Sequence, residues 1–323
     1  MKKYILLTFS MLILLLIGFK MYDYYKSNKI SRECDFLVYR FEQDFFSLNK
    51  DSFDIQFPEI KKKYPDFFLD TSVDFKKNLF LDDTLFTVLD SVKLVFGDIF
   101  PEFDAIKKGV CNYQYYFPGE ELSLYTFIDK SFDYRTPVVF SESKLFVSLH
   151  LFLGADHSFY NFLPDYIKYA HDSIFLPTSC FITLAGKHIP YPDVSNFIEI
   201  MLHYSKAYIF AQKMLPETPD YKFFKCSEEK IAWCYKNESL IWNYMIERDY
   251  LFSSSLDLID NFISLAPFSK FGLPTDRDSP GGVGLWLGVQ IWNSYIRNNN
   301  VSLLEVLNEK DYIQVLNNSG YKP

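Results

Sequence analysis

The sequence has few cysteines and histidines, and neither set has the spacing of a metal or redox motif. There are five Cys and five His in 323 residues. No C-x-x-C occurs, which argues against a zinc ribbon or a thioredoxin-type site. Cys226 and Cys234 are near enough in sequence to pair in an oxidising compartment, while buried free thiols are an equally good interpretation. All five His lie between His150 and His203, yet no two are four residues apart on one helix, so a metal site built from several of them is not predicted.

The chain also lacks the features of nucleic-acid and nucleotide binders. It has no long run of Lys or Arg, its net charge is -8 and its pI is near 5.2, so no nucleic-acid partner is expected. The glycines of Ser279–Gly284 precede a helical pattern, but no Lys-Ser or Lys-Thr follows and no strand precedes, so a tight turn is favoured over a phosphate loop. No Gly-x-Ser-x-Gly elbow and no repeat of 20–50 residues is present, which argues against a hydrolase of that type and a solenoid.

What the chain does have is apolar and aromatic side chains. Hydrophobic residues make up 49% and aromatic residues 19%, with 34 Phe and 24 Tyr, enough for a large core rich in rings. Helical spacing dominates the first third, including 32–48 and 81–100, and returns after Leu151. Between them lie three predicted strands: Leu122–Asp129, Pro137–Phe140 and Lys144–His150. We predict a single α+β domain over residues 32–323, mainly helical, with a small sheet.

Residues 1–22 predict a signal or transmembrane anchor. Lys2 and Lys3 precede the apolar run Tyr4–Phe19, which is typical of an envelope-targeting segment. No A-x-A cleavage site and no Cys preceded by small residues follows it. An uncleaved anchor in the membrane is therefore favoured, with a cleaved signal as the alternative.

The stretch Asn196–Leu215 predicts the best helix of the chain, capped by Asp193 or Ser195. Zinc peptidases of the His-Glu-x-x-His type carry two His one turn apart, with a Glu beside the first to activate water. Here His203 is the first residue of that pattern, but Tyr204 replaces the Glu and Ala207 the second His. The helix is either a lost active site or a core packing helix that carries one His.

The second candidate is Glu238, on the next predicted helix, Ser227–Leu251. A zinc site of this kind takes a Glu from a following helix as its third ligand, so His203 and Glu238 are the candidate metal ligands. Two protein ligands make a weak zinc site, and the base is missing. A buried hydrogen bond of Glu238 with His203 or Lys206 is the simpler interpretation. No catalytic residue and no cofactor is assigned.

Several segments in fixed order resemble the gliding-motility lipoprotein B family (GldB) of the Bacteroidota. The resemblance runs from about Arg40 to the C-terminus. It rests on the following segments: Arg40–Phe46, Tyr115–Pro118, Phe152–Gly154, the helix with His203, Lys206 and Tyr208, Glu238 with Trp242, Ala266–Phe268, Ser279–Gly281 with Trp286, Gly288 and Tyr295, and Tyr321–Pro323.

The resemblance implies an envelope protein needed for gliding motility and linked to type IX secretion, with a zincin-like (gluzincin-like) layout that lacks the full metal motif. Two features depart from the family: the chain has no lipidation motif, and His150 stands where members carry an acidic residue. The predicted function is non-catalytic support of a motility or secretion machine through contacts with other envelope proteins, at the membrane and facing the periplasm. The alternatives are a degenerate membrane-anchored zinc metallopeptidase and an envelope module that binds a small ligand.

Overall fold

The structure is a computed structural model that describes residues 34, 36–69, 73–97, 100 and 102–323. The predicted anchor, residues 1–22, lies outside these ranges. Within them, no helix has both the length and the apolar character needed to cross a membrane.

A four-stranded sheet stands near the start of the described chain. Its order is β1-β2-β4-β3, with β1 parallel to β2, β2 parallel to β4, and β3 antiparallel to β4. The three predicted strands are confirmed, and β3 and β4 form an antiparallel hairpin. The predicted helix over 32–48 is wrong at its start, because residues 37–40 pair with β2 through Val38 and Leu124 and the helix begins only at Phe41. The strands are β1 Leu37–Arg40, β2 Ser123–Phe127, β3 Val138–Ser141 and β4 Lys144–Ser148.

Helices supply most of the remaining regular structure, which confirms a mainly helical α+β domain. Their bounds are α1 Phe41–Phe46, α2 Phe53–Lys63, α3 Val73–Phe80, α4 Asp83–Phe96, α5 Glu102–Tyr116, α6 Asp165–Ala170, α7 Leu176–Ala185, α8 Phe197–Met214, α9 Asp220–Phe223, α10 Glu228–Lys236, α11 Glu238–Glu247, α12 Asp257–Phe262, α13 Val283–Asn299, α14 Leu303–Asn308 and α15 Tyr312–Ser319.

The two faces of the sheet meet different cores, because successive side chains of a strand point to opposite sides. Leu124 and Leu145 are fully buried in the main core, which the later helices complete. Tyr125 and Phe146 face the other way, onto a smaller core. That second core, the aromatic cluster, consists of Phe41, Phe45, Phe53, Phe57, Tyr64, Phe68, Phe80 and Tyr125.

A buried carboxylate ties the aromatic cluster to the sheet. Glu42, at the start of α1, is fully buried and accepts a hydrogen bond from the Thr126 hydroxyl at 2.7 Å. Its other oxygen lies 2.5 Å from Nε of Arg40. Because a buried charge is tolerated only when it is paired and hydrogen-bonded, these three side chains fix the register of β1, α1 and β2 together.

One predicted helix is divided, and one helix was missed. The predicted helix Ser227–Leu251 breaks at Asn237, whose N–H donates to the carbonyls of both Trp233 and Cys234. Near the C-terminus, α14 ends before Glu309, which is extended, and Asp311 then caps α15. Helix α7 was not predicted, because it is buried on nearly every side and so lacks the polar face that periodicity detects.

The cysteine pairing differs from the one considered from spacing. Cys226 and Cys234 are free and buried, as is Cys180. The disulfide joins Cys34 to Cys111, with 5.3 Å between their Cα atoms, and links the chain before β1 to helix α5. Sequence distance gave no hint of this pair, since 77 residues separate its members.

Candidate functional site

Helix α8, which carries His203, is the central packing helix of the main core. It lies against α13, and the two helices approach closely because Gly288 has no side chain. A Cβ at Gly288 would lie 2.5 Å from the Ser205 hydroxyl and 2.9 Å from the Met201 carbonyl. The indole N–H of Trp292 on α13 donates to the Leu202 carbonyl at 2.8 Å. The cap is Asn196, whose side chain accepts from the Glu199 N–H, and not Asp193 or Ser195 as predicted.

The polar side chains of α8 bind the C-terminal helices. Nδ1 of His203 lies 2.8 Å from the hydroxyl of Tyr312 on α15. Nζ of Lys206 is fully buried, donates to the carbonyls of Leu307 and Glu309 at the end of α14, and lies 4.8 Å from the centre of the Tyr312 ring. Burial lowers the pKa of His203 and that of Lys206, the latter to about 8. A cation at the C-terminal end of a helix satisfies carbonyls that have no partner within the helix.

Glu238 serves a different contact. It accepts a hydrogen bond from the Tyr321 hydroxyl at 2.7 Å, and the Tyr321 ring packs edge-on against Trp242 with 5.3 Å between ring centres. Burial and this hydrogen bond raise the pKa of Tyr321. The structure therefore differs from the hydrogen bond to His203 or Lys206 considered above, because the C-terminal Tyr321 takes the carboxylate.

The two candidate metal ligands thus have separate tyrosine partners. No ion pair joins His203 to Glu238 within the described ranges, and no group of three or more His, Cys, Asp or Glu placed to hold a metal ion is found there. The other histidines also have their own neighbours. Nδ1 of His171 lies 2.6 Å from the Leu151 carbonyl, Nε2 of His188 lies 3.0 Å from the Tyr113 hydroxyl, and Nε2 of His150 lies 3.4 Å from a carboxylate oxygen of Asp129.

A cavity opens on the other side of α8, between the edge of the sheet and the C-terminal half. It has a volume of about 260 Å³, and Lys225 also faces a neighbouring cavity of about 160 Å³. The start of β3 forms one wall, α7 contributes Ser179 and Thr183, and α8 contributes Tyr208. The opposite wall is Leu265 with the glycines at 281 and 282.

The cavity wall formed by Gly281 and Gly282 accounts for two of the segments on which the family resemblance rests. The Ser269 hydroxyl accepts from the Val283 N–H and donates to the Pro280 carbonyl at 2.9 Å, joining Ala266–Ser269 to Ser279–Gly282. A Cβ at Gly281 would lie 2.2 Å from the Ala266 carbonyl oxygen, so only glycine permits this contact of two backbones. The turn predicted at Ser279–Gly284 is confirmed, and its role is to close the cavity.

Lys225 is the feature that sequence reasoning missed. It follows α9 in the left-handed region, with φ of 49°, while the Cys226 N–H donates to the Tyr221 carbonyl at 3.2 Å. This is the C-cap position that usually holds Gly. Burial lowers the pKa of Lys225 to about 8. A Lys directly after the run Asp220–Phe224, where a helix cap favours Gly, was the available signal, and the shortness of α9 concealed it.

Together, the fold and these contacts define a mainly helical α+β protein in which His203 and Glu238, the two candidate metal ligands, contact tyrosines of the C-terminal segment. The family model described as gliding motility protein GldB matches residues 25–323, and the chain belongs to that family. No curated protein and no solved structure matches it. Membership confirms the resemblance noted in the sequence, implies involvement in gliding motility and supports a location in the cell envelope.

Proposed function

We propose that the protein is a non-catalytic, membrane-anchored envelope protein that faces the periplasm and supports gliding motility, together with type IX secretion, through contacts with other envelope proteins. The observation that carries this proposal is the use of His203 and Glu238. Each binds a tyrosine of the C-terminal segment, and Lys206 beside His203 closes α14. Side chains that a peptidase would direct at a metal here hold the end of the chain in place.

Exposed apolar side chains support a role through protein contacts. Leu240 on α11 is 68% exposed, Phe252 in the following loop is 63% exposed and Leu256 is 74% exposed. Contiguous exposed apolar patches are typical of interaction surfaces, and these three side chains lie in one short stretch of the chain. We expect these three residues to contribute to contact with a partner in the motility machine.

The disulfide supports the periplasmic orientation. Structural disulfides form and persist outside the reducing cytoplasm. Cys34–Cys111 links the first described residue to α5. A domain on the periplasmic side of the membrane would keep this bond oxidised.

Complementation of a gliding host that lacks the gene tests the proposal. Glu238→Gln keeps an oxygen that accepts from Tyr321 and removes the negative charge that a zinc ligand supplies. We expect this variant to restore colony spreading. Loss of spreading at a normal protein level would show that the carboxylate itself is needed and would contradict a non-catalytic role.

The same strain tests the contact surface. Replacing Leu240 and Leu256 together by Asp should abolish spreading without lowering the protein level, since both side chains are exposed and contribute little to folding. Lys62→Asp, at an exposed position of α2, is the control, because α2 packs on the aromatic cluster and not on the main core that α11 joins. Full spreading of the double Leu variant would rule this surface out as the partner contact.

We also propose that the fold has a zincin-like layout that lacks a complete metal site. Helix α8 carries His203 at the first position of the zinc-peptidase motif, with Tyr204 and Ala207 in place of the Glu and the second His. The corresponding alternative is a degenerate zinc metallopeptidase. Metal analysis of the full-length protein decides between them, because stoichiometric zinc that is lost in Glu238→Gln would favour the peptidase.

A further inference from the structure

The cavities beside α8 have an unusual charge for this chain. The sequence carries 41 acidic and 33 basic residues. Neither cavity is lined by an Asp or a Glu, while Arg135, Lys225 and Lys230 all line one or both. The lining therefore has the opposite sign to the protein as a whole, which favours an anionic occupant.

Two of these three cations form no ion pair among the described residues, and the Arg135 guanidinium lies 5.6 Å from the centre of the Tyr134 ring. Nζ of Lys230 donates to the carbonyls of Pro267 and Ser279, at 2.5 Å and 2.9 Å, and so serves the loops. Within the part of the chain that the structure describes, no ion pair with a carboxylate involves Lys225 or Arg135. The Tyr208 hydroxyl, which faces the same cavity, has no hydrogen-bond partner among those residues either. A cation and a hydroxyl donor thus face the same space without an acceptor.

A lysine at position 225 is unfavourable for the fold in two ways, one from its backbone and one from its charge. A left-handed backbone costs a non-glycine residue about 1 kcal/mol. A partly buried ammonium that has no carboxylate partner among the described residues is a further cost, and burial lowers its pKa to about 8. Glycine would fit the backbone better, and none of the described residues forms a hydrogen bond or an ion pair with the amine. A bound anion would offset the cost of the buried charge.

The remaining side chains that line the cavity are mostly apolar, which indicates a ligand with an apolar part. Phe223, Phe224, Ile182 and Leu285 provide apolar walls, and Tyr208 stacks on Phe224 with 5.1 Å between ring centres. Cavities with mostly apolar walls and a few convergent polar groups are typical ligand sites. An inorganic ion would leave these walls without contacts.

We propose that this cavity binds a small amphipathic anion, with its carboxylate or phosphate group at Lys225, Arg135 and the Tyr208 hydroxyl, and its apolar body against Phe223, Phe224 and Leu285. The site is distinct from the partner contacts proposed above and goes beyond that function. It stands whether or not the exposed leucines bind a partner.

Isothermal titration calorimetry of the full-length protein in a neutral detergent tests the proposal. The probes are benzoate and phenyl phosphate, which separate the two anionic groups, with benzyl alcohol and benzylammonium as neutral and cationic controls. At least one anion should bind with a Kd below about 1 mM, and the two controls at least about tenfold more weakly. Equal binding of benzyl alcohol, or no binding of either anion at about 10 mM, would overturn the proposal.

Lys225→Gly is the decisive variant, because it removes the amine and suits the left-handed backbone, so it should fold at least as well as the wild type. It should weaken anion binding by at least about tenfold, and Arg135→Gln should weaken it less. Lys236→Met, which removes one exposed lysine outside the cavity, should bind like the wild type. Undiminished binding to Lys225→Gly would place the anion elsewhere and contradict the proposal.

Discussion

Lys206 is fully buried and Lys225 is partly buried, and burial lowers the pKa of each to about 8. Lys206 donates to two carbonyls at the end of α14 and lies near the rings of Trp292 and Tyr312. Lys225 faces a cavity, and none of the described carboxylates forms an ion pair with it. Lys206 therefore stabilises the fold, whereas Lys225 is available to bind a ligand, although burial lowers the pKa of both residues.

The largest difference between Lys206 and Lys225 should appear in how their substitution changes the free energy of unfolding. Lys206→Met removes a charged donor and leaves the carbonyls of Leu307 and Glu309 buried without a partner, so it should lower the free energy of unfolding by about 3 kcal/mol. Lys225→Met removes an unpaired charge and should not lower it. Urea unfolding of both variants at pH 7 measures the difference. Equal losses would show that Lys225 also has a structural partner.

Tyr312 and Tyr208, which lie on the Lys206 side and the Lys225 side of α8, should differ in the same direction, with a smaller change in the free energy of unfolding. Tyr312→Phe leaves Nδ1 of the buried His203 without its partner and should lower the free energy of unfolding by about 1–2 kcal/mol. Tyr208→Phe, on the cavity side of the same helix, should change it by less than about 0.5 kcal/mol. Both variants keep the aromatic ring, so thermal unfolding reports the hydroxyl alone. A marked loss in Tyr208→Phe would mean that its hydroxyl has a structural role.

The smallest expected effect is a pH dependence. Between the folded pKa of Lys225, about 8, and the ordinary value of 10.5, the unfolded chain binds more protons, so stability rises with pH over that interval. From pH 7.5 to pH 9, the wild type should gain about 1 kcal/mol relative to Lys225→Met, since the contribution of Lys206 is present in both and cancels. A constant difference between the two proteins over this range would show that Lys225 is solvated like a surface lysine.

The sheet hairpin, the helix around His203 and the turn at 279–284 were predictable, because alternation, amphipathic spacing and paired glycines are local signals. Strand β1 and helix α7 were not. The first owes its conformation to pairing with β2 across more than eighty residues, and the second is buried on nearly every side and so lacks a polar face. The partners of His203 and Glu238 were missed for a related reason, since both tyrosines belong to a C-terminal segment whose return onto α8 and α11 no local pattern specifies.

The cavity was even less accessible to sequence reasoning. Its walls come from β3, α7, α8, the segment after α9 and two loops near residues 265 and 281. Local sequence patterns concern each of these segments separately. Only the tertiary structure places Lys225 and Tyr208 around the same cavity. The charge of the lining is therefore a property of the tertiary structure, and the overall acidity of the chain concealed it.

The Cys34–Cys111 bond also determines how this domain would carry a mechanical load. A pull on the chain before Cys34 passes through the disulfide to Cys111, and so enters helix α5 directly. The intervening loop, with β1 and most of the aromatic cluster, then bears no tension. If the bond were reduced, the same pull would act first on β1 and strip it from β2. An oxidised domain in a moving envelope can thus be held by its amino-terminal end without losing its first strand.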